Sequence, residues 1–85
     1  MLNCIIIDDE EHACQILKTH VEKVPFLNLK AVFTDAFKAL AFLQQDETDL
    51  IFLDIQMPEL SGIQFLEIIN GKYKVIITSA YTEYA

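Results

Sequence analysis

The sequence is poor in basic residues, and this shortage limits the partners that it can bind. Only 6 of its 85 residues are Lys or Arg, against 13 Asp or Glu, so the formal net charge is −7. Binding to a nucleic-acid backbone normally depends on clustered Lys and Arg. We therefore expect no nucleic-acid-binding surface in these residues, whereas the acidic excess suits a site for a cation.

Chain-breaking residues and long apolar runs are also scarce. With only 2 Gly and 2 Pro, the composition is not that of a disordered or low-complexity chain. No apolar run approaches the ~20 residues of a membrane-spanning helix. The N-terminal MLNCIII lacks the basic flank and the cleavage site of a signal peptide. One small domain of a soluble, cytoplasmic protein is predicted.

Cysteine is limited to Cys4 and Cys14. The first lies in a predicted strand and the second in a predicted helix, so they do not form the tight ligand cluster of a metal site. In a cytosolic protein, such residues are expected to be buried thiols that behave as small hydrophobic side chains.

Apolar residues make up 53% of the chain, and their spacing alternates between strand and helix patterns. The predicted strands are Cys4–Asp8, Leu27–Phe33, Asp49–Asp54 and Lys74–Ser79. The predicted helices are Glu11–Val24, one from Thr34 or Asp35 to about Gln45, Gly62–Asn70, and a first turn at Tyr81–Ala85. Because parallel strands need crossover helices, this order predicts an α/β sheet with helices on both faces.

The first helix has apolar residues at helical spacing that we expect to face the sheet. They are Ala13, Ile16, Leu17, Val21 and Val24.

Acidic and hydroxyl side chains follow the ends of three predicted strands. Asp8 and Asp9 end the first, Asp54 the third, and Thr78 and Ser79 the fourth. Ligands collect at the carboxyl ends of parallel strands, so the three carboxylates converge if the first and third strands are neighbours. Such close like charges are stabilised by a cation. Acids without His or Cys nearby are the ligand set that Mg²⁺ prefers.

A simpler role for these acids is capping. Asp9 or Glu10 could cap the first helix, and Asp54 could cap the turn after its strand. The long apolar run before Asp54 favours a strand that presents this carboxylate to chemistry. An Asp beside a bound Mg²⁺ is well placed to attack a phosphoryl group.

Three motifs together resemble the receiver domain of two-component response regulators. They are IIIDDE, LIFLDIQMPELSG and VIITSA, each at the end of a predicted strand. The middle motif follows the family pattern of Asp, two residues, Met-Pro, three residues and Gly. The phrase TSAYTEYA and the short stretch between Gly62 and Lys74 are similar to the LytTR-type branch, in which a receiver precedes a DNA-binding output domain.

The resemblance implies a flavodoxin-like, doubly wound parallel α/β sheet with strand order 2-1-3-4. It also implies a fifth strand and a last helix that this chain lacks. Residues 1–85 are therefore interpreted as a receiver domain truncated at its C-terminal side, without an output domain. DNA would be contacted only through that absent domain.

The resemblance also implies roles for the acids. Asp54 is similar to the phosphoacceptor, which takes a phosphoryl group from a phosphohistidine of a sensor histidine kinase. Asp8 and Asp9 are similar to the Mg²⁺ acids, with Asp9 the more direct ligand and Asp8 acting partly through water. Asp54 and the backbone carbonyl of Gln56 would complete the protein ligands. Such a module phosphorylates and dephosphorylates itself but is not a classical enzyme.

Further residues receive roles from the same resemblance. Ser79 is similar to the hydroxyl residue that binds the phosphoryl oxygen and moves on activation, and Ala80 to the small residue that leaves access to the site. Thr78 is a rival for the hydroxyl role, because adjacent strand residues face opposite sides. Pro58 and Gly62 would shape the loop that keeps Gln56 in place.

Two other functions are considered. Receivers carry a Lys at the end of the fifth strand, whereas Lys72 and Lys74 lie at the wrong end of the sheet. The chain could then be a structural unit without phosphotransfer, forming a homodimer or a domain-swapped oligomer through the edge of its fourth strand. An aspartate-dependent phosphatase is disfavoured, since it usually needs a second Asp at position 56, which is Gln.

Overall fold

Strands and helices alternate along the chain, as predicted. The computed structural model describes residues 1–57 and 60–78. Its elements are β1 (Leu2–Ile7), α1 (Glu11–Glu22), β2 (Leu27–Phe33), α2 (Ala36–Gln45), β3 (Leu50–Leu53), α3 (Gly62–Ile69) and β4 (Lys74–Ile77). Their boundaries agree with the predicted ones to within two residues, and those of β2 are identical. The predicted helical turn at 81–85 lies outside the described residues.

The strands form one parallel sheet in the order β2-β1-β3-β4. Ile7 at the end of β1 lies opposite Leu53 at the end of β3, and Leu53 lies opposite Ile77 at the end of β4. The predicted order 2-1-3-4 of a flavodoxin-like sheet is confirmed. Because the three strands end level with one another, the residues that follow them meet at one edge of the sheet.

Hydrophobic cores lie on both faces of the sheet, because successive strand residues point to opposite sides. Ile5 and Ile7 pack with α2 and α3, whereas Cys4 and Ile6 pack with α1. All four residues of β3 are buried. The predicted covering of the sheet by helices on both faces is confirmed, and so is the burial of Cys4 and Cys14 as free thiols.

Local capping explains where α2 begins and where α3 begins and ends. The side chain of Asp35 accepts a hydrogen bond from the Phe37 N–H at 2.8 Å, so Asp35, rather than Thr34, caps α2. Ser61 and Gln64 form a reciprocal capping box at the start of α3. Asn70 ends α3 in the left-handed conformation, with φ 48°. The predicted start of α2 at Asp35 and the predicted end of α3 at Asn70 are therefore confirmed.

The predicted inward face of α1 was wrong at Ile16, which is 50% exposed. The buried residues of this helix are Cys14 and Val21. Each residue turns the helix by about 100°, so Ile16 lies about 200° around the axis from Cys14. The contact face is centred on the line from Cys14 to Val21, so Ile16 lies outside it although its side chain is apolar.

In the part of the chain that the structure describes, the helices are all too short or too polar to cross a membrane.

Candidate metal centre

Three carboxylates come together at the carboxyl edge of the sheet. Asp8 and Asp9 follow β1, and Asp54 follows the neighbouring β3. One carboxylate oxygen of each residue lies within 4.8 Å of the others. The predicted convergence is confirmed, and we refer to Asp8, Asp9 and Asp54 as the acidic cluster.

Asp8 is held firmly although it carries a charge. Its N–H donates to the carbonyl of Phe33 on β2 at 3.0 Å, extending the sheet by one residue. Its Oδ1 accepts the Glu10 N–H at 2.9 Å. The residue is only 8% exposed, and a buried charge is costly unless hydrogen bonds or an opposite charge compensate it.

Asp54 caps the turn after β3 and also contributes to the acidic cluster. Its N–H donates to the carbonyl of Ile7 at 3.0 Å. Its Oδ1 accepts the Gln56 N–H at 3.1 Å, which caps the turn after β3. The capping bond engages only one carboxylate oxygen. Asp54 therefore stabilises the turn and belongs to the acidic cluster at the same time.

The electrostatics of the cluster disfavour a third negative charge. Burial raises the pKa of the Asp54 carboxyl above its usual value, the Gln56 N–H opposes this shift, and the charges of Asp8 and Asp9 add to it. The repulsion from Asp8 and Asp9 is the part of this increase that a bound cation would counteract. Three clustered oxygen ligands without His or Cys fit Mg²⁺ on chemical grounds.

The alternative in which the side chain of Asp9 or Glu10 caps α1 was wrong. Glu10 occupies the N-cap position, but its side chain makes no capping hydrogen bond. Asp9 precedes that position and is exposed. Its carboxylate is therefore accessible to a ligand from solvent.

Gly62 allows the start of α3 to lie directly against the loop after Asp54. Its N–H donates to the carbonyl of Ile55 at 2.8 Å. A Cβ at this position would lie 2.5 Å from Ile55 Cα and 2.8 Å from Asp54 O. Both are backbone atoms, so neither can move aside easily. The close approach requires glycine here, and it fixes the segment that leads from Asp54 to Gln56.

The other predicted site residues are placed as follows. Thr78 donates its N–H to the carbonyl of Leu53 at 2.9 Å and lies level with Asp54. Its hydroxyl is buried and has no hydrogen-bond partner among residues 1–57 and 60–78. Lys74 begins β4 opposite Leu50, so it lies at the other end of the sheet, as predicted. Pro58, Ser79 and Ala80 lie outside the described residues.

Cys14 contacts the cluster in a way that sequence reasoning missed. Its Sγ lies 3.2 Å from the backbone carbonyl oxygen of Asp8. Burial, followed by the nearby charge of Asp8, raises the pKa of this thiol to about 11, so it is a protonated donor at neutral pH. The burial of Cys14 was predictable, but its contact depends on the path of the β1–α1 loop, which the sequence does not specify.

Comparisons with known proteins identify the family. Residues 4–85 match the family model of the response regulator receiver domain. The chain belongs to this family. It is 32% identical over 87 aligned residues to an uncharacterised response regulatory protein of Yersinia pestis, covering 100% of this chain and 37% of that protein. The chain thus spans little more than a third of the length of this curated relative.

Solved receiver domains share the fold. The response regulatory domain of mrkE from Klebsiella pneumoniae superposes with a TM-score of 0.84 at 30% identity, covering 98% of this chain and 70% of that one. Response regulator TrrA from Thermotoga maritima, in complex with Mg²⁺-BeF, gives 0.84 at 28% identity over 99% and 74%. Phosphorylation on an Asp with Mg²⁺ is general for this family. The LytTR-type branch stays a prediction.

Proposed function

We propose that Asp54 accepts a phosphoryl group from a phosphohistidine of a sensor histidine kinase. The observation that carries this proposal is the acidic cluster, in which neighbouring strands bring three carboxylates together beside a capped turn. Membership of the receiver family supports the same chemistry. The domain would relay the signal as a conformational change, since a new charge can bias an element with two arrangements.

The transfer balances as a simple displacement. A carboxylate oxygen of Asp54 forms a bond to phosphorus, and the bond from phosphorus to the imidazole nitrogen breaks. The imidazole leaves with that electron pair, and Asp54 becomes an acyl phosphate. Because the Gln56 N–H holds Oδ1, the side chain is oriented before the reaction, and its second oxygen is the candidate nucleophile.

Mg²⁺ is the cofactor that the ligand set favours. Asp8, Asp9, Asp54 and the backbone carbonyl of Gln56 would hold it, with Asp9 the more direct ligand and Asp8 acting partly through water. When bound, the ion would supply positive charge that offsets the clustered carboxylates and the phosphoryl oxygens. The raised pKa of Asp54 supports a site that is incomplete without a cation.

The remaining roles are proposed from the motif. Ser79 would donate its hydroxyl to the phosphoryl oxygen, with Thr78 as the rival, and Ala80 would leave access to the site. Pro58 and Gly62 would fix the loop that carries Gln56, and the tight backbone approach at Gly62 supports its share of this role. The domain would act in the cytoplasm, and DNA would be contacted only through a separate output domain.

Removal of the metal tests the proposed reaction. With acetyl phosphate as the donor, the protein is expected to gain one phosphoryl group in Mg²⁺ and none in excess EDTA, as measured by intact mass. The expected loss is at least about a hundredfold in rate, because metal ions contribute several kcal/mol to such transfers. Equal phosphorylation in EDTA would contradict the metal-dependent mechanism.

A second candidate role is self-association through β4. Ile76 and Ile77 are 47% and 43% exposed, and as adjacent strand residues they face opposite sides of the sheet. Among the described strands, β4 pairs only with β3. Apolar strands with a free edge readily pair with a second chain, which supports a homodimer or a domain-swapped oligomer.

Light scattering after size exclusion tests this second role. The wild-type chain is expected to form dimers as its concentration rises, whereas Ile76→Lys should shift the equilibrium to monomer by about tenfold, since a charge at an apolar contact costs more than 1 kcal/mol. Ile63→Lys, at an exposed position of α3, is the matched control. A wild-type monomer at every concentration would refute the role.

A further inference from the structure

We propose that Cys14 is a positioning residue for the acidic cluster, acting through its hydrogen bond to the Asp8 carbonyl. The thiol would hold the peptide between Asp8 and Asp9 in the orientation that lets both carboxylates bind a divalent cation. This inference rests on the proposed Mg²⁺ site.

The contact lies at the junction of the sheet with α1. Cys14 is 2% exposed, and its Sγ is 3.2 Å from the Asp8 carbonyl oxygen. The N–H of Cys14 also donates to the Glu10 carbonyl at 3.1 Å. One residue of the first helical turn therefore binds the loop through both its backbone and its side chain.

The planarity of the peptide bond transmits this contact to Asp9. The carbonyl of Asp8 and the N–H of Asp9 belong to one rigid plane. The preceding peptide is already fixed, because the Asp8 N–H donates to Phe33 on β2. The thiol bond on the carbonyl then restrains rotation of the next plane. Without it, only the bond from the Glu10 N–H to Asp8 Oδ1 spans that plane, so the plane can rotate further and carry the exposed Asp9 away from the cluster.

Cys4 provides a comparison within the same core. It is fully buried, it is a free thiol, and it packs in the same hydrophobic cluster as Cys14. Within residues 1–57 and 60–78 its thiol makes no hydrogen bond, whereas the Cys14 thiol donates to the Asp8 carbonyl. Substitution of either cysteine should therefore lose packing, but only substitution of Cys14 should also lose a hydrogen bond to the Asp8 carbonyl.

The test is Mg²⁺ binding by titration calorimetry on the full chain, without a phosphoryl donor, together with thermal unfolding in EDTA. Cys14→Ala removes the donor and is expected to weaken Mg²⁺ binding about three- to tenfold, at or below the usual range for outer-shell partners because a thiol is a weak donor. Cys14→Ser keeps a donor and should bind within about twofold of wild type. Cys4→Ala should lose stability but keep the wild-type affinity.

A second pair of variants covers the case in which the smaller side chains disturb the core. The side chains in Cys14→Thr and Cys14→Val have nearly the same shape and differ in the hydroxyl donor, so Cys14→Thr should bind Mg²⁺ more tightly than Cys14→Val. Wild-type affinity in Cys14→Ala and Cys14→Val would overturn the role of Cys14. So would equal losses of affinity in Cys14→Ala and Cys14→Ser, and in Cys14→Thr and Cys14→Val. Absence of Mg²⁺ binding by the wild-type chain would overturn the metal site itself, and the role of Cys14 with it.

Discussion

Asp54→Asn is expected to abolish phosphorylation by acetyl phosphate, with a loss of at least about a hundredfold in rate, because the amide is not a nucleophile comparable to a carboxylate. The neighbouring Asp8 cannot take over, since it is buried and its Oδ1 accepts the Glu10 N–H. Asparagine keeps an oxygen for the Gln56 N–H, so the turn after β3 should persist. The measurement is intact mass after incubation with Mg²⁺ and acetyl phosphate.

Asp46→Asn is the matched control for this substitution. Asp46 is an exposed acid at the C-terminal end of α2, so the same change of charge is made away from the acidic cluster. It should be phosphorylated at the wild-type rate. Persistent phosphorylation of Asp54→Asn, or an equal loss in both variants, would refute the assignment.

Asp54→Asn should also raise the free energy of unfolding when no divalent ion is present. Because the pKa of Asp54 lies above its usual value of 3.8 in the folded state, ionising this group costs free energy of folding. The cost is absent at pH values below about 3.8 and grows as pH rises through the raised pKa. At neutral pH, Asp54→Asn should therefore be more stable than wild type, as measured by urea unfolding in EDTA. A difference that does not change with pH would contradict this explanation.

Gly62→Ala is expected to destabilise the fold by about 3 kcal/mol, at the upper end for overpacking. Helix propensity alone predicts the opposite sign, since Ala is better than Gly inside a helix. The new Cβ would lie 2.5 Å from Ile55 Cα, and this clash with backbone should outweigh the propensity. Relief of the clash would displace the segment after Asp54, so Mg²⁺ affinity should also fall, by about tenfold.

Gly71→Ala separates backbone conformation from close approach. Gly71 has φ +75°, and a Cβ there would meet nothing within 4 Å. The substitution should therefore cost only about 1 kcal/mol, from the left-handed conformation, with no effect on Mg²⁺ affinity. Equal losses of stability at the two glycines, compared by urea unfolding, would contradict the role of Gly62 in fixing the loop.

The main features of the fold follow from local signals in the sequence. The apolar runs predicted the strands. The acids after β1 and β3 predicted the edge where the carboxylates meet, because parallel strands end at the same side of a sheet. Asp35 and Asn70 marked helix ends through capping chemistry that acts within a few residues. The convergence of Asp8, Asp9 and Asp54 needed one further step, the adjacency of β1 and β3.

Features that depend on the path of a loop or the rotation of a helix could not be predicted. Ile16 fits an apolar pattern, but α1 is rotated so that the line from Cys14 to Val21 meets the sheet. The bond from Cys14 to Asp8 joins a helix to a loop six residues earlier. The close approach of Gly62 to Ile55 follows from the docking of α3 against the loop. Each of these depends on tertiary packing, and none leaves a periodic pattern.

The location of the phosphoryl group tests the central claim most directly. After reaction with acetyl phosphate and Mg²⁺, borohydride reduction converts an aspartyl phosphate to homoserine, which peptide mass spectrometry can assign to one residue. The expected result is a single modified position, Asp54. Modification of Asp8 or Asp9 instead, or of no residue while Mg²⁺ is bound, would contradict the assignment of Asp54 as the phosphoacceptor.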